Sequence, residues 1–393
     1  MGTSPLCQHH VKPENFSHAE PFYPLHVYVC DGCFLVQLPE YVSREEIFGD
    51  DYGYFSSFSE TWLRHAENYV DMMIPRFGLN KSTRVVEIAS NDGYLLQYFV
   101  RAGVPVLGIE PTANTAAAAV RKSIPTLTQF FGKRTAEEVR AAQGPASLIL
   151  GNNVLAHVPD IHDFVGGIRI LLAPGGVVTM EFPQLLHLIE MNYWDTIYHE
   201  HFSYLSFTTV EAIFAYHEMT IFDVEELPTH GGSIRVYAKQ AEDSSKPVHH
   251  RVAAMKVREA RAGHFDLGYY ADFAERVQES KRGLLEFLIE AKRNNKRIAG
   301  YGAPGKGNTL LNYCGIRTDF IDYTVDRSPH KQGNFLPGTR IPIFSPDKIR
   351  ETKPDFLLML PWNLKDEIMA QMAEIRSWGG KFVVPIPRVQ VFD

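Results

Sequence analysis

Cysteine is scarce. The chain of 393 residues has four, Cys7, Cys30, Cys33 and Cys314, too few and too scattered for a disulfide framework at this length. Long apolar runs are missing: none approaches the roughly 20 residues that would span a bilayer. The opening MGTSPLCQHHVKPE has no hydrophobic signal core, so no membrane partner and a cytoplasmic location are expected. An excess of positive charge is missing too. The formal net charge is −7, which leaves no chain-wide footprint for nucleic acid. No repeat of fixed short period and no low-complexity tract interrupts the chain. What is present is enough apolar material, 45%, for sizeable cores, and a length that suggests two or three domains.

The N-terminal stretch LHVYVCDGCFLVQL has the pattern of two short strands around a turn. From Arg84 the pattern becomes regular. The strand-like runs RVVEIA, PVLGIEP, PTLTQFF, ASLILGNN and VVTMEFP alternate with helical segments. That alternation predicts a doubly wound α/β sheet, mostly parallel. MTIFDVEEL and GGSIRVYAKQ then add late antiparallel strands at its edge. Residues 241–252 have the composition of a linker and 253–296 of a charged helical region. A second, smaller β/α series runs from KRIAGYGA to KFVVPIP. The expected segments are 1–58, a hairpin domain; 59–245, the central sheet; and 246–393, a helical linker with a Rossmann-like domain.

Ligands of open α/β sheets bind beyond the carboxyl ends of the strands. Those ends read VEIASNDGYL, GIEP, TQFF and GNNVLAHVPD. The first loop lacks G-x-G-x-x-G and keeps only Gly93, beside the small Ala89 and Ser90 and next to Asn91. Glu87 lies in the first strand. Glu110 ends the second, before Pro111, where a carboxylate accepts hydrogen bonds from ribose hydroxyls. Phe130, Phe131, Asn152, Asn153 and His157 complete the rim. This layout is that of class I S-adenosylmethionine (SAM) methyltransferases, and the dinucleotide-binding fold has similar parts. SAM carries a sulfonium and no phosphate, so it needs no glycine-rich phosphate cradle.

After the fifth strand comes DTIYHEHFSYLS, residues 195–206, with PTHGGSIRVYA at 228–238. His201, Tyr198 and Glu200 suit proton removal near neutral pH. The His199/His201 spacing does not match the i, i+4 spacing of a helical zinc pair. Cys30 and Cys33 form a C-x-x-C knuckle of zinc-ribbon spacing. Cys7 and His10 offer a further C-x-x-H; two reduced cysteines in a hairpin turn are the other reading.

Taken in order, DDYGYFSS, VEIASNDGYLL, GIEP, GNNVLAHVPD, YHEHFSYLS, PTHGGSIRVYA and GYGAPGKGNTLLNYCG resemble the sugar C-methyltransferases of deoxysugar biosynthesis, the family that includes the tetronitrose C-3 methyltransferase. The resemblance covers nearly the whole chain. It implies a zinc-ribbon-like N-terminal domain, a central SAM domain and a C-terminal Rossmann-like domain. It also implies methyl transfer to C-3 of a 4-keto-deoxysugar carried on a nucleoside diphosphate, usually dTDP. The base of that family falls on His201, with Tyr198 and Glu200 as its motif partners, and a further active-site tyrosine falls on Tyr54. The family has another C-x-x-C ahead of a segment like PLCQHHVKPENF. On that alignment Cys7 is not a ligand, and the expectation is a shortened hairpin domain or a lost metal.

His230, Gly231, Gly232 and Lys306 are expected on the substrate side. GYGAPGKGN, with Lys306, suits a diphosphate; with Asp326 it also keeps an NAD-dependent nucleotide-sugar oxidoreductase open as an alternative, beside a non-catalytic nucleotide-sugar-binding protein. The expected partner is a small nucleotide-sugar, with the protein a monomer or small homo-oligomer.

Overall fold

A computed structural model describes residues 1–49 and 52–393. Asp50 and Asp51, which open the DDYGYFSS segment, lie outside the described residues. The chain divides into two compact units, Tyr28–Leu186 with His201–Asp266, and Met1–Val27 with His187–Glu200 and Leu267–Asp393.

The first unit is built on a seven-stranded sheet. Its strands are β1 (Val85–Ile88), β2 (Val106–Ile109), β3 (Thr126–Leu127), β4 (Ala146–Asn152), β5 (Leu172–Pro183), β6 (Met219–Leu227) and β7 (Ser233–Gln240). Their order is β3-β2-β1-β4-β5-β7-β6. The first five are parallel, and β7 runs antiparallel to both β5 and β6. Both faces are covered. Val86, Ile88, Ile149 and Val178 pack into one apolar cluster with Phe164, Ile168 and Phe214, while Val85, Leu148 and Leu150 pack into another with Tyr69, Met73 and Phe99. Burial on both faces explains why the parallel strands read as continuous apolar runs.

Local signals fix the helices around the sheet. Helix α1 (Glu60–Phe77) begins where the Ser59 hydroxyl accepts from the Trp62 N–H, and ends on Gly78 in the left-handed conformation. Helix α2 (Phe207–Tyr216) is capped by Ser206. Strand β5 begins at Leu172, earlier than the VVTMEFP run suggests, because Leu172 pairs with Ala146 before a shift in register. The predicted hairpin is present: Tyr28–Val29 and Val36–Gln37 pair antiparallel, and Ser203–Tyr204 joins as a third strand.

The second unit carries a six-stranded sheet. Strands β8 (Ile298–Tyr301), β9 (Thr324–Val325), β10 (Ile343–Phe344), β11 (Phe356–Met359), β12 (Lys381–Val384) and β13 (Gln390–Phe392) lie in the order β10-β9-β8-β11-β12-β13. All neighbours are parallel except β12 and β13. Helix α3 (Phe273–Arg293) precedes the sheet, and α4 (Gly305–Cys314) follows β8.

The three segments read from the sequence are distributed over these two units. Residues 1–27 group with the C-terminal sheet: Val11 bridges to Phe335, and Arg340 pairs with Glu20 while donating to the carbonyls of Phe16 and His18. The helix His250–Ala262, which begins inside the linker-like stretch, stays with the first unit. Its Val252 and Met255 are buried, and its Glu259 accepts from the backbone N–H groups of Phe207 and Thr208 at the start of α2. No helix among the described residues is long and apolar enough to cross a membrane.

Candidate active site

The loop after β1 is bent through positive φ at Ala89 (57°), a residue that seldom goes there, and at Asn91 (49°) and Gly93 (76°). Such strain persists only where the surroundings hold it. Glu110 is one restraint. Its carboxylate accepts from the Asn91 N–H at 2.9 Å and from the Thr112 N–H at 2.9 Å. Burial pushes the Glu110 carboxyl up, and the Thr112 and Asn91 bonds oppose that rise.

Asn91 is the other restraint. Its amide donates to the Tyr54 carbonyl at 3.1 Å and accepts from the Ser56 N–H at 2.9 Å. Asn114 holds the Tyr52 carbonyl at 2.9 Å, and Lys122 reaches the Ser57 hydroxyl at 2.8 Å. The Tyr54 segment is thereby tied across the carboxyl edge of β1 and β2.

Glu87 is fully buried in β1, and neither carboxylate oxygen has a hydrogen-bond partner among the described residues. Burial drives its carboxyl well above the usual range, with the nearby Tyr94 hydroxyl pulling the other way. A buried acid of this kind suits a cationic ligand group, whose charge would favour the ionised carboxylate that burial alone disfavours. The side-chain oxygens of Ser90, Asn152 and Asn153 are also buried and unpartnered. SAM carries an ammonium and a sulfonium together with ribose hydroxyls and an adenine. The residues present fit it: Glu87 and Glu110, with Asn91, Asn152 and Asn153, are those that would hold it. Phe131 lies in the core against Phe164, while half-buried Phe130 lies under the Arg44 guanidinium, 4.6 Å from its ring centroid. Pro111 is half-buried at the turn behind Glu110.

His157 and His201 meet edge to face, with ring centroids 4.6 Å apart, and His201 lies 6.1 Å from the Tyr204 ring. The Phe202 N–H donates to the Ala156 carbonyl at 2.8 Å, which fixes the backbone of His201 beside the loop after β4. On the neighbouring rim, the Asn153 amide bonds the His230 imidazole at 2.9 Å. His230 sits at a φ of 53° in the turn between β6 and β7, and Gly231 and Gly232 follow with positive φ. Trp62 touches His230 and stacks on both His65 and Tyr94.

Sequence reasoning missed a buried charged group beneath this rim. Glu181, level with Asn152 in the register of β4 and β5, accepts from Arg235 at 2.7 Å, from His65 at 2.9 Å and from the Thr229 hydroxyl at 2.9 Å. Burial acts to raise its carboxyl, but the His65 bond and the Arg235 charge outweigh it and hold it at about 2. A signal was available: Glu181 and Arg235 are opposite charges inside the apolar runs VVTMEFP and SIRVYA, and such charges are rarely buried unless paired.

The YHEH motif straddles the division of the chain. His201 belongs to the first unit, and Tyr198, His199 and Glu200 to the second. Within the second unit Glu200 accepts a hydrogen bond from the Cys7 thiol, and His199 is buried with Nε2 3.0 Å from the Pro24 carbonyl. Burial lowers the His199 pKa. The Lys306 ammonium bonds the Asn363 side chain at 2.6 Å and lies 4.4 Å over the Trp362 ring. Burial lowers its pKa to about 8, with Asp195 opposing. In the same turn, a Cβ on Gly302 would come within 2.6 Å of Pro361, and Asp326 accepts from the Ala303 and Ser328 N–H groups at 2.8 Å. The glycine-rich turn is thus packed against its own chain.

A zinc set does not close. Cys30 and Cys33 supply two thiols in the hairpin, but Cys7 and His10 belong to the other unit, where Cys7 is bonded to Glu200. Among the described residues no group of three or more His, Cys, Asp or Glu side chains is placed to hold a metal ion. Two thiols are half of the four ligands a structural zinc takes.

Three family models match the chain: a "Putative zinc binding domain" at residues 1–48, a methyltransferase domain at 62–220 and a C-methyltransferase C-terminal domain at 228–387. The C-methyltransferase NovU of Streptomyces niveus is 36% identical over 393 residues, covering 100% of this chain and 93% of its own length. A ubiquinone biosynthesis O-methyltransferase of Rhodopseudomonas palustris (strain HaA2) is 31% identical over 98 residues, 25% of this chain and 38% of that protein. Among solved structures, a magnesium protoporphyrin IX methyltransferase of Synechocystis aligns at a TM-score of 0.37 and 14% identity, covering 45% of this chain and 83% of that one. With full-length identity to a C-methyltransferase and matching central and C-terminal models, the chain belongs to the SAM-dependent C-methyltransferase family.

Proposed function

We propose that the chain methylates C-3 of a 4-keto-deoxysugar linked to a nucleoside diphosphate, dTDP in the first instance, through an enolate. The observation that supports this most is His201, set against His157 at the rim that also carries Asn152 and Asn153. A sugar C-3 is not nucleophilic until it loses its proton, and an adjacent 4-keto group acidifies that proton by spreading charge onto oxygen. His201 takes the proton. Tyr198, Tyr54 and His230 are the candidates for donating to the enolate oxygen, which needs a positioned hydrogen-bond donor. Glu200, the chain neighbour of His201, orients an imidazole or binds a sugar substituent. SAM, when bound, supplies the methyl group. The direct test is mass spectrometry of dTDP-4-keto sugars incubated with SAM and the protein. A mass gain of one methylene in the sugar is expected, and its absence across 4-keto sugars overturns the reading.

The cofactor half of the reading has its own test. Glu110→Ala removes the carboxylate set for the ribose hydroxyls and also frees the Asn91 and Thr112 N–H groups it holds. A hydrogen bond to a charged group contributes about 1.5–3 kcal/mol, so SAM affinity by calorimetry should fall roughly 10- to 150-fold. An unchanged affinity would place the cofactor elsewhere.

A further inference from the structure

Cys7 is left over once the zinc set fails to close. It is 2% exposed, and its thiol donates to Glu200 Oε1 at 3.2 Å across 193 residues of sequence. Glu200 is itself 4% exposed. A buried carboxylate without donors is costly, so a proton-bearing partner at this oxygen sets where the carboxyl group can sit. Burial, with the adjoining Glu200 charge, pushes the Cys7 thiol well up, so it keeps its proton throughout the neutral range.

A second residue makes room for this contact. Gly305 opens α4, and a Cβ there would lie 2.8 Å from Cys7 Sγ and 3.5 Å from the Tyr198 ring carbon Cζ. Glycine is the poorest helix former after proline, and nothing in the Gly305 backbone requires it, since its φ is not in the left-handed region. The missing methyl is explained by the sulfur. Three parts of the second unit, the N-terminal segment, Tyr198–Glu200 and the start of α4, are fitted together around one thiol–carboxylate bond.

We infer that Cys7 is a positioning residue for Glu200, with Gly305 providing the space in which the thiol can reach it. The inference rests on the functional reading above. Cys7 touches no reacting atom; its effect passes through the placement of the Glu200 carboxylate.

The test uses the full chain with a dTDP-4-keto-deoxysugar and SAM. The readouts are kcat, the KM for each substrate, solvent deuterium exchange at C-3 and the thermal midpoint. Cys7→Ala should lower kcat and exchange on the order of tenfold, as expected for losing a hydrogen bond to a charged group, with the KM for SAM unchanged. Cys7→Ser, which restores a donor, should recover to within about threefold. Gly305→Ala keeps the thiol and improves helix propensity. It should nonetheless lower kcat and exchange in the same direction as Cys7→Ala with the KM for SAM unchanged, and it carries the test if Cys7→Ala does not fold. In a Glu200→Gln background, Cys7→Ala should add no further loss, because a residue acting through another is non-additive with it. Multiplying losses, or wild-type exchange in Cys7→Ala and Gly305→Ala, overturns the role of Cys7 alone. A wild-type protein that neither exchanges nor methylates any 4-keto sugar overturns the functional reading and this role with it.

Discussion

His201→Asn is expected to abolish measurable turnover while SAM and nucleotide-sugar binding stay close to wild type. A general base acts in the transition state, so its removal lowers the rate by ~10²–10⁴-fold and leaves ground-state contacts in place. The same variant should lose solvent deuterium exchange at sugar C-3 in the absence of SAM, which isolates proton removal from methyl transfer. Structural collateral should be small. The backbone at this point is held by the Phe202-to-Ala156 hydrogen bond, which the substitution does not touch. His199→Asn is the control. His199 is buried and bonded to the Pro24 carbonyl, so its replacement should lower the thermal midpoint and leave exchange largely intact. If exchange disappears in His199→Asn and survives in His201→Asn, the base has been assigned to the wrong side of the motif.

That contrast shows what could be read before the structure was known. Residues i and i+2 of an extended segment share a face, so alternation did not separate His199 from His201; only the family resemblance did. Their partners were not legible. Pro24 lies 175 residues from His199, and pattern reasoning has no access to pairings of that range. The central sheet was legible because its parallel strands are buried on both faces and so stand out as apolar runs between turn signals. The division into units was less so. The hairpin strands 28–29 and 36–37 pair with each other and with Ser203–Tyr204, while residues 1–27 group with the C-terminal sheet; local composition carries no mark of either choice. Glu87 and Glu110 were legible as strand-end acids because each sits at the end of an apolar strand run. The Asn91 clamp on Tyr54 and Ser56 depends on a side chain bridging 35 residues or more. The glycine-rich turn stayed ambiguous for a related reason: a glycine that admits a phosphate and one that admits Pro361 are written with the same letter.

The second large effect is expected at Arg235. Its guanidinium is 2% exposed and donates to Glu181 Oε2 at 2.7 Å, over the Tyr69 ring at 4.7 Å. Arg235→Met keeps the volume and removes the charge, leaving the Glu181 carboxylate buried with only His65 and Thr229 as its described partners. Breaking one side of a buried pair costs about 3–5 kcal/mol, which for a unit of this size lowers the thermal midpoint by roughly 6–20 °C. Glu181→Gln on top of Arg235→Met should recover much of the loss, since the orphaned charge is gone; a double variant no better than the single one would mean that packing, not charge, is what Arg235 provides. The pair also fixes a pH dependence. Glu181 is held at about 2 against an ordinary 4.5. Its contribution is therefore fully present above about pH 4.5 and is lost as the pH falls from there toward 2, amounting to roughly 3 kcal/mol over that window. In Arg235→Met the acid limb of the stability curve should flatten, because most of the depression that makes Glu181 pH-sensitive comes from its bonded neighbours and Arg235 is one of them. An acid limb as steep as wild type would show that Glu181 is not the group titrating there. Because Thr229 leads directly into His230, whose ring bonds Asn153, the same variant should also raise the KM for the nucleotide-sugar more than that for SAM.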